Sequence, residues 1–118
     1  MSLDIGIKAK REVEIFDSNI TYNLGPMYYK CIEGGLLALN GMVCEKALPI
    51  LNKAIDDMIF NKEEYEKLNP ANGWGTYDGL LKELKRMRDC CENNLDGIIE
   101  VVWYKWERQH LLMEIRQL

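Results

Sequence analysis

The sequence lacks the motifs by which common catalytic sites are recognised. Its 118 residues contain no G-x-G-x-x-G, G-x-x-x-x-G-K-[ST], H-E-x-x-H or G-x-S-x-G pattern. The single histidine, His110, lies among Gln, Leu and Met residues, so a surface or packing role is preferred to that of a general base. The paired acids Asp56-Asp57 and Glu63-Glu64 would point about 100° apart on a helix and would make no carboxylate dyad. We therefore predict that the protein is not an enzyme and assign no catalytic residue.

Metal-binding and disulfide patterns are also lacking. The four cysteines form no C-x-x-C pair, and Cys90 and Cys91 are adjacent, which is a poor geometry for an ordinary disulfide. No metal site and no cofactor are expected. The sequence shows no signal peptide and no long apolar span, so we expect a cytoplasmic protein without a membrane segment. A net charge of -4, from 15 basic and 19 acidic residues, argues against nucleic-acid binding.

The composition predicts a single domain that spans residues 1–118. With 47% hydrophobic and 29% charged residues, a chain of this length can bury one core without disulfide bonds. Alternating apolar residues predict N-terminal strands at 3–7 and 12–16 joined by a basic turn, and one long strand is the alternative. The β-branched and aromatic residues at 98–104 predict a further strand that pairs with the N-terminal ones.

Apolar residues at helical spacing predict the helices between these strands. The side chains of Asp17-Ser18-Asn19 favour a helix that starts near Ile20, with a kink at Gly25-Pro26 or a division there into two short helices. No assignment is made for residues 36–44. The predicted fold class is α+β, with a small antiparallel sheet from the N- and C-terminal strands packed against a helical layer. Further helices are predicted at residues 46–60, 62–68 and 77–91.

The C-terminal segment, residues 103–118, has apolar residues at helical spacing, among them Trp103, Trp106 and Met113. This pattern predicts a C-terminal helix or an oligomerisation tail. An apolar tail in so small a protein either covers its own sheet or contacts another subunit. A homo-oligomer is therefore expected.

The loop at residues 69–77 combines turn, capping and aromatic residues. Asn72-Gly73 is a strong turn pair, because both residues tolerate a positive φ. Gly75 lets the backbone approach a neighbour closely, and Thr76 is placed to cap the following helix. The preferred interpretation is a packed interhelix loop with Trp74 buried, and a ligand site in the same loop is the alternative.

Two groups of uncharged hydrogen-bonding and aromatic side chains provide the candidate ligand-binding residues. Asparagine and threonine side chains beside an aromatic ring are typical of sites that bind a polar ligand without converting it. They are equally typical of helix caps and turns, and capping is the preferred role of Asn19 and Thr76. The candidates are Asn19, Thr21, Tyr22 and Asn23 in the first group, and Asn69, Asn72, Trp74 and Tyr77 in the second.

Two motifs, Asn19-Ile20-Thr21-Tyr22-Asn23-Leu24 and Asn69-Pro70-x-Asn72-Gly73-Trp74-Gly75-x-Tyr77, together resemble a family of small phage and prophage proteins. The resemblance covers residues 1–101, and the second motif is the more specific of the two. The chain departs from the family pattern at Tyr22, where a histidine is common, and at residues 36–45, where relatives carry an aromatic-Arg-Pro element. A family role that depends on the histidine side chain at this position therefore does not apply to this chain.

The resemblance implies a phage accessory protein in the cytoplasm of a bacterial host. We expect a non-enzymatic binding protein that antagonises a host defence by binding a defence protein or by sequestering a small polar signalling ligand. One alternative is a small nucleotide-directed hydrolase or transferase, which requires an ionisable group such as Asp17 or Asp78 beside the polar residues. The other is a structural phage assembly component, which predicts an apolar tail at 103–118 and no pocket. The ligand hypothesis requires the two asparagine-rich motifs to converge.

Overall fold

The computed structural model describes residues 2–9 and 14–103, except for the side chain of Trp103. The predicted tail at 103–118, which includes His110, lies outside the described residues apart from the backbone of Trp103. The elements are β1 (Ser2–Lys8), β2 (Glu14–Thr21), α1 (Gly25–Cys31), α2 (Cys44–Phe60), α3 (Lys62–Glu66), α4 (Tyr77–Asn93) and β3 (Ile98–Trp103), with short 3-10 helices at Tyr22–Leu24 and Leu36–Leu39.

The strands form an antiparallel sheet in the order β2-β1-β3, so the first strand lies at its centre. Ser2 of β1 lies opposite Thr21 of β2, and Leu3 of β1 lies opposite Trp103 of β3. The predicted pairing of two N-terminal strands with each other and with the C-terminal strand is confirmed. This register brings the end of β2 beside the start of β1.

The two faces of the sheet differ in chemistry, as strand alternation requires. Leu3, Ile5 and Ile7 of β1 are fully buried and belong to the hydrophobic core. The helical elements pack on this face. The opposite face carries polar side chains, including Asp17 and Glu100. The α+β fold class predicted from the sequence is confirmed.

The helices α2 and α4 pack against each other and form most of the helical layer. Leu51 and Met58 of α2, and Leu84 and Met87 of α4, are fully buried. Each such side chain contributes about 1.5–3 kcal/mol relative to an exposed position. The apolar stripes predicted at these helices are therefore confirmed. None of the helices in the described ranges is long and apolar enough to cross a membrane.

The predicted helix start near Ile20 is wrong. Asp17-Ser18-Asn19 belongs to β2, which continues to Thr21 and pairs with β1 along its length. The hydroxyl of the buried Ser18 donates a hydrogen bond to Glu83 of α4 at 2.6 Å. Strand pairing and this distant partner outweigh the local preference of Asp, Ser and Asn for helix caps.

After β2 the chain enters two short helices, which was one of the two predicted outcomes. Thr21 caps the first of them, the 3-10 helix, by accepting a hydrogen bond from the backbone N–H of Asn23. Pro26 lies in the first turn of α1, where a missing backbone N–H costs little. Gly25-Pro26 therefore begins a helix and does not kink one.

The segment without a predicted structure runs along the outer edge of β3. The N–H of Gly41 donates to the carbonyl of Ile99 at 2.7 Å, and the N–H of Ile99 donates to the carbonyl of Met42 at 2.9 Å. Val43 forms an isolated bridge with Ile98. These contacts cover backbone groups that an exposed edge strand would otherwise present to solvent.

Candidate functional site

The two asparagine-rich motifs meet at Gly75. A Cβ atom on this glycine would lie 2.8 Å from Cγ of Leu24 and 2.9 Å from Cγ2 of Thr21, which is closer than normal packing allows. Gly75 also has a φ of 103°, a conformation that favours glycine. The predicted close approach of the backbone at this position is confirmed, and its neighbours are residues of the first motif.

Hydrogen bonds connect the motifs where they meet. The Nδ2 of Asn72 donates to Oδ1 of Asn23 at 3.3 Å, and the Nδ2 of Asn23 donates to Oγ1 of Thr21 at 3.0 Å. The backbone N–H of Trp74 donates to Oδ1 of Asn72 at 2.9 Å. A continuous chain of uncharged groups therefore runs from the end of β2 to the loop before α4.

Asn19 joins this arrangement from the exposed face of the sheet. Its Nδ2 donates to Oγ of Ser2 at 3.1 Å and to Oδ1 of Asp4 at 2.8 Å, across the β1–β2 pair. The predicted capping role of Asn19 is wrong, because the residue lies within β2 and not at a helix start. Its cross-strand hydrogen bonds place its side chain beside Thr21.

These residues line an open groove of about 440 Å³ at the end of the sheet, which we call the Asn–Trp groove. All of its lining residues are uncharged, although 29% of the chain is charged. Its volume lies within the range of about 300–1,000 Å³ that is typical of small-molecule sites. The lining residues are Ser2, Asn19, Thr21, Asn23, Asn72 and Trp74.

Trp74 is exposed over 69% of its surface, so the preferred prediction of a buried tryptophan is wrong. Gly73 and Gly75 have positive φ angles on either side of it and allow the loop to turn at this point. The loop packs through Gly75, and this leaves the indole ring at the surface. An exposed indole beside hydrogen-bonding groups is suited to stacking against a flat ligand.

Three predicted ligand residues lie outside the lining of the groove. Tyr77 is only 4% exposed, and its hydroxyl donates to the carbonyl of Met58 at 2.7 Å. Burial raises the pKa of Tyr77 above its ordinary value. Asn69 accepts a hydrogen bond from the backbone N–H of Tyr77 at 2.7 Å and so fixes the start of α4. Tyr22 is half exposed in the 3-10 helix that follows β2.

A second groove of about 390 Å³ adjoins the first, because Asn19 and Thr21 line both. It runs along the first turns of α4, where Thr76 caps the helix by accepting a hydrogen bond from the N–H of Gly79 at 3.0 Å. This cap was predicted and is confirmed. Lys82 and Glu83 also line the second groove, and Glu83 is engaged by Ser18 and Arg86.

The hydrolase or transferase hypothesis gave Asp17 and Asp78 as examples of the ionisable group that it requires, and Asp4 is a further acid that contacts the groove residue Asn19. Asp17 lines a separate depression on the exposed face of the sheet, and Asp78 is an exposed residue in the first turn of α4. Neither lines the Asn–Trp groove. Over residues 2–9 and 14–103, no group of three or more His, Cys, Asp or Glu is arranged to hold a metal ion.

Ser2 is a lining residue that sequence patterns did not single out. It reaches the groove because it lies opposite Thr21 in the strand register and accepts a hydrogen bond from Asn19. That register depends on the pairing of two strands, so no local motif marks it.

Comparison with protein-family models, curated proteins and solved structures gives no match to this chain.

Proposed function

We propose that this protein is a non-enzymatic binding protein that holds a small polar ligand in the Asn–Trp groove. The observation that supports this function is the convergence of the two motifs on one uncharged groove beside the exposed ring of Trp74. Amide and hydroxyl groups orient a ligand through hydrogen bonds, while an aromatic ring supplies contact area.

The chemical groups that line the groove are better suited to binding a molecule than to converting it. A hydrolase or transferase needs a group of suitable pKa within hydrogen-bond reach of the reacting atoms. The lining residues are amides, hydroxyls and an indole, and the hydroxyl oxygen of Thr21 already accepts hydrogen bonds from Asn23. Binding without turnover is therefore the better-supported function.

We further propose that the protein is a phage accessory factor that antagonises a bacterial defence by sequestering a small signalling ligand. The two motifs that resemble phage proteins are the motifs that build the groove. Sequestration requires affinity and abundance, and it does not require catalysis. The proposed site of action is the cytoplasm of the host, with a homo-oligomer as the expected form. The alternative of a structural phage assembly component predicts no pocket and does not account for the groove.

An affinity-capture experiment tests this function. The immobilised protein is incubated with a small-molecule extract of phage-infected bacteria, washed and denatured, and the released molecules are identified by mass spectrometry. We expect a compound that the wild type retains and Trp74→Ala does not. Phe60→Ser is the matched control, because Phe60 is an 85% exposed aromatic residue that lines a different cavity and not the Asn–Trp groove. Identical release from wild type and Trp74→Ala would contradict the proposed function.

A further inference from the structure

The hydrogen bonds within the Asn–Trp groove determine which groups remain for a ligand. A carboxamide has two N–H donors and one carbonyl oxygen, and a hydroxyl has one donor. Both N–H donors of Asn19 are directed to Ser2 and Asp4, so this residue offers its carbonyl oxygen. The oxygen of Thr21 accepts from Asn23 twice, so this residue offers its O–H.

The remaining groups add further donors. Asn72 uses one N–H on Asn23, and Asn23 uses one on Thr21, so each keeps a second N–H. Their carbonyl oxygens each already accept a hydrogen bond, from Trp74 and Asn72 respectively. Ser2 accepts from Asn19 and keeps its own O–H. Within the described residues, four donor hydrogens of the groove therefore lack a hydrogen-bond partner, on Ser2, Thr21, Asn23 and Asn72, whereas only the carbonyl oxygen of Asn19 accepts no hydrogen bond.

A donor-rich, uncharged groove is complementary to a neutral ligand edge that carries acceptors. Trp74 adds a flat surface that is 69% exposed, and nucleobases stack on such rings with a gain of about 1–3 kcal/mol per base. Guanine presents two adjacent acceptors on one edge, a carbonyl oxygen and a ring nitrogen. Adenine replaces the carbonyl oxygen with an amino donor, which would face the donors of the groove.

We infer that the Asn–Trp groove takes a planar heterocycle with two adjacent hydrogen-bond acceptors, and that guanine is the purine of this class. The ring stacks on Trp74, and its acceptor edge faces the amides of Asn23 and Asn72 and the hydroxyl of Thr21. This inference rests on the proposed function and names the class of ligand that the same groove would hold.

Titration of the isotope-labelled protein with guanosine monophosphate, adenosine monophosphate and ribose phosphate tests this assignment. Nuclear magnetic resonance follows the indole N–H of Trp74 and the side-chain amides of Asn23 and Asn72. We expect guanosine monophosphate to bind about tenfold more tightly than adenosine monophosphate. Ribose phosphate, which lacks the nucleobase, should leave these signals unchanged.

Two variants distinguish the loss of stacking on Trp74 from a loss of the folded groove. Trp74→Ala should weaken guanosine monophosphate binding about tenfold, whereas Trp74→Phe should retain most of it, because a phenyl ring still stacks. Equal affinity for the two nucleotides, or equally tight binding of ribose phosphate, would overturn the inference.

The outcome also distinguishes this inference from the proposed function. If the nucleotides leave the groove signals unchanged while a compound captured from cell extract shifts them, the assignment of the ring class is wrong and the binding function stands. If the captured compound and the nucleotides both bind Trp74→Ala as they bind the wild type, the groove is not the site and both proposals fail.

Discussion

The side-chain amides of Asn72 and Asn23 lie 3.3 Å apart, although 49 residues separate them in the chain. Each amide also fixes its own turn: Asn72 accepts from the backbone N–H of Trp74, and Asn23 donates to Thr21. The contact therefore couples the loop before α4 to the end of β2. A groove built from two coupled turns should respond strongly to changes in how closely they pack.

Gly75→Ala should destabilise the fold and disrupt the groove. The new Cβ would meet Leu24 and Thr21 at less than 3.0 Å and would also occupy a positive φ. Backbone strain and crowding together should lower the free energy of unfolding by about 2–4 kcal/mol. Urea denaturation of the purified variant measures this change.

Gly73→Ala is the matched control for this prediction. Gly73 also has a positive φ, but a Cβ at this position would have no neighbour within 4 Å. Strain alone should lower the free energy of unfolding by about 1 kcal/mol. Equal losses in the two variants would contradict the close packing of the loop against β2.

Arg86→Ala should expose the free edge of β2. The guanidinium of Arg86 lies 5.1 Å from the ring centroid of Phe16, and its Nη2 donates to the carbonyl of Asp17 at 3.4 Å. Loss of this cover should lower the free energy of unfolding by about 1 kcal/mol and promote association through the edge strand. Urea denaturation and sedimentation velocity measure the two effects.

Arg88→Ala removes the same charge from a neighbouring position and serves as the control. Arg88 pairs with the adjacent Asp89 at 3.0 Å, and such a surface pair contributes little stability. Its free energy of unfolding should change by less than about 0.5 kcal/mol, without added association. Association of both variants to the same extent would point to net charge and not to the uncovered edge.

The protein should lose stability as the pH rises above about 9. Burial raises the pKa of the Cys31 thiol to about 12. The pKa of Tyr65 is raised mainly by burial and also by the hydrogen bond that its hydroxyl donates to Asp57. The unfolded chain then releases protons at a pH where the native state retains them. The stabilising contribution is fully present below the ordinary pKa values of these groups and declines above them.

Urea midpoints measured in reducing buffer at neutral pH and at about pH 10.5 test this dependence. Tyr65→Phe should show a smaller alkaline loss than the wild type, because one buried titrating group is removed. Tyr29→Phe is the control, because it removes the hydroxyl of a half-exposed tyrosine in place of a buried one. A free energy of unfolding that stays constant across this range would contradict the prediction.

Much of the fold could be predicted because its elements carry strong local patterns. The apolar stripes of α2 and α4 face the core, and so do the alternate β-branched residues Ile99 and Val101 of β3. The helix predicted at Asp17-Ser18-Asn19 failed because polar residues of this kind favour caps only when no strand partner is available. In β2 their partners are β1 and the distant Glu83.

The candidate site was predicted in part. The local motifs identified Asn19, Thr21, Asn23 and Asn72, which line the groove. Their convergence depends on how Gly75 packs, which no local pattern reveals. Tyr77 was a candidate ligand residue because it combines an aromatic ring with a hydroxyl. In the structure its hydroxyl donates to the carbonyl of Met58 in the core.

Exposure of Trp74 could not be inferred from the sequence. A tryptophan between two glycines can face inward or outward with equal ease, because the glycines impose no direction on the loop. The direction follows from the packing of Gly75 against the side chains of Thr21 and Leu24, which leave no room for a Cβ atom at this position.

Native mass spectrometry of the protein purified from bacteria that produce it tests the central claim most directly. Spectra are recorded under native and denaturing conditions for the wild type, Trp74→Ala and the Phe60→Ser control. If the Asn–Trp groove holds a ligand, the wild type and Phe60→Ser should carry a small-molecule mass that denaturation removes and that Trp74→Ala lacks. The same bound mass on Trp74→Ala, or bare chains in every sample even after exposure to extract from infected cells, would contradict the account.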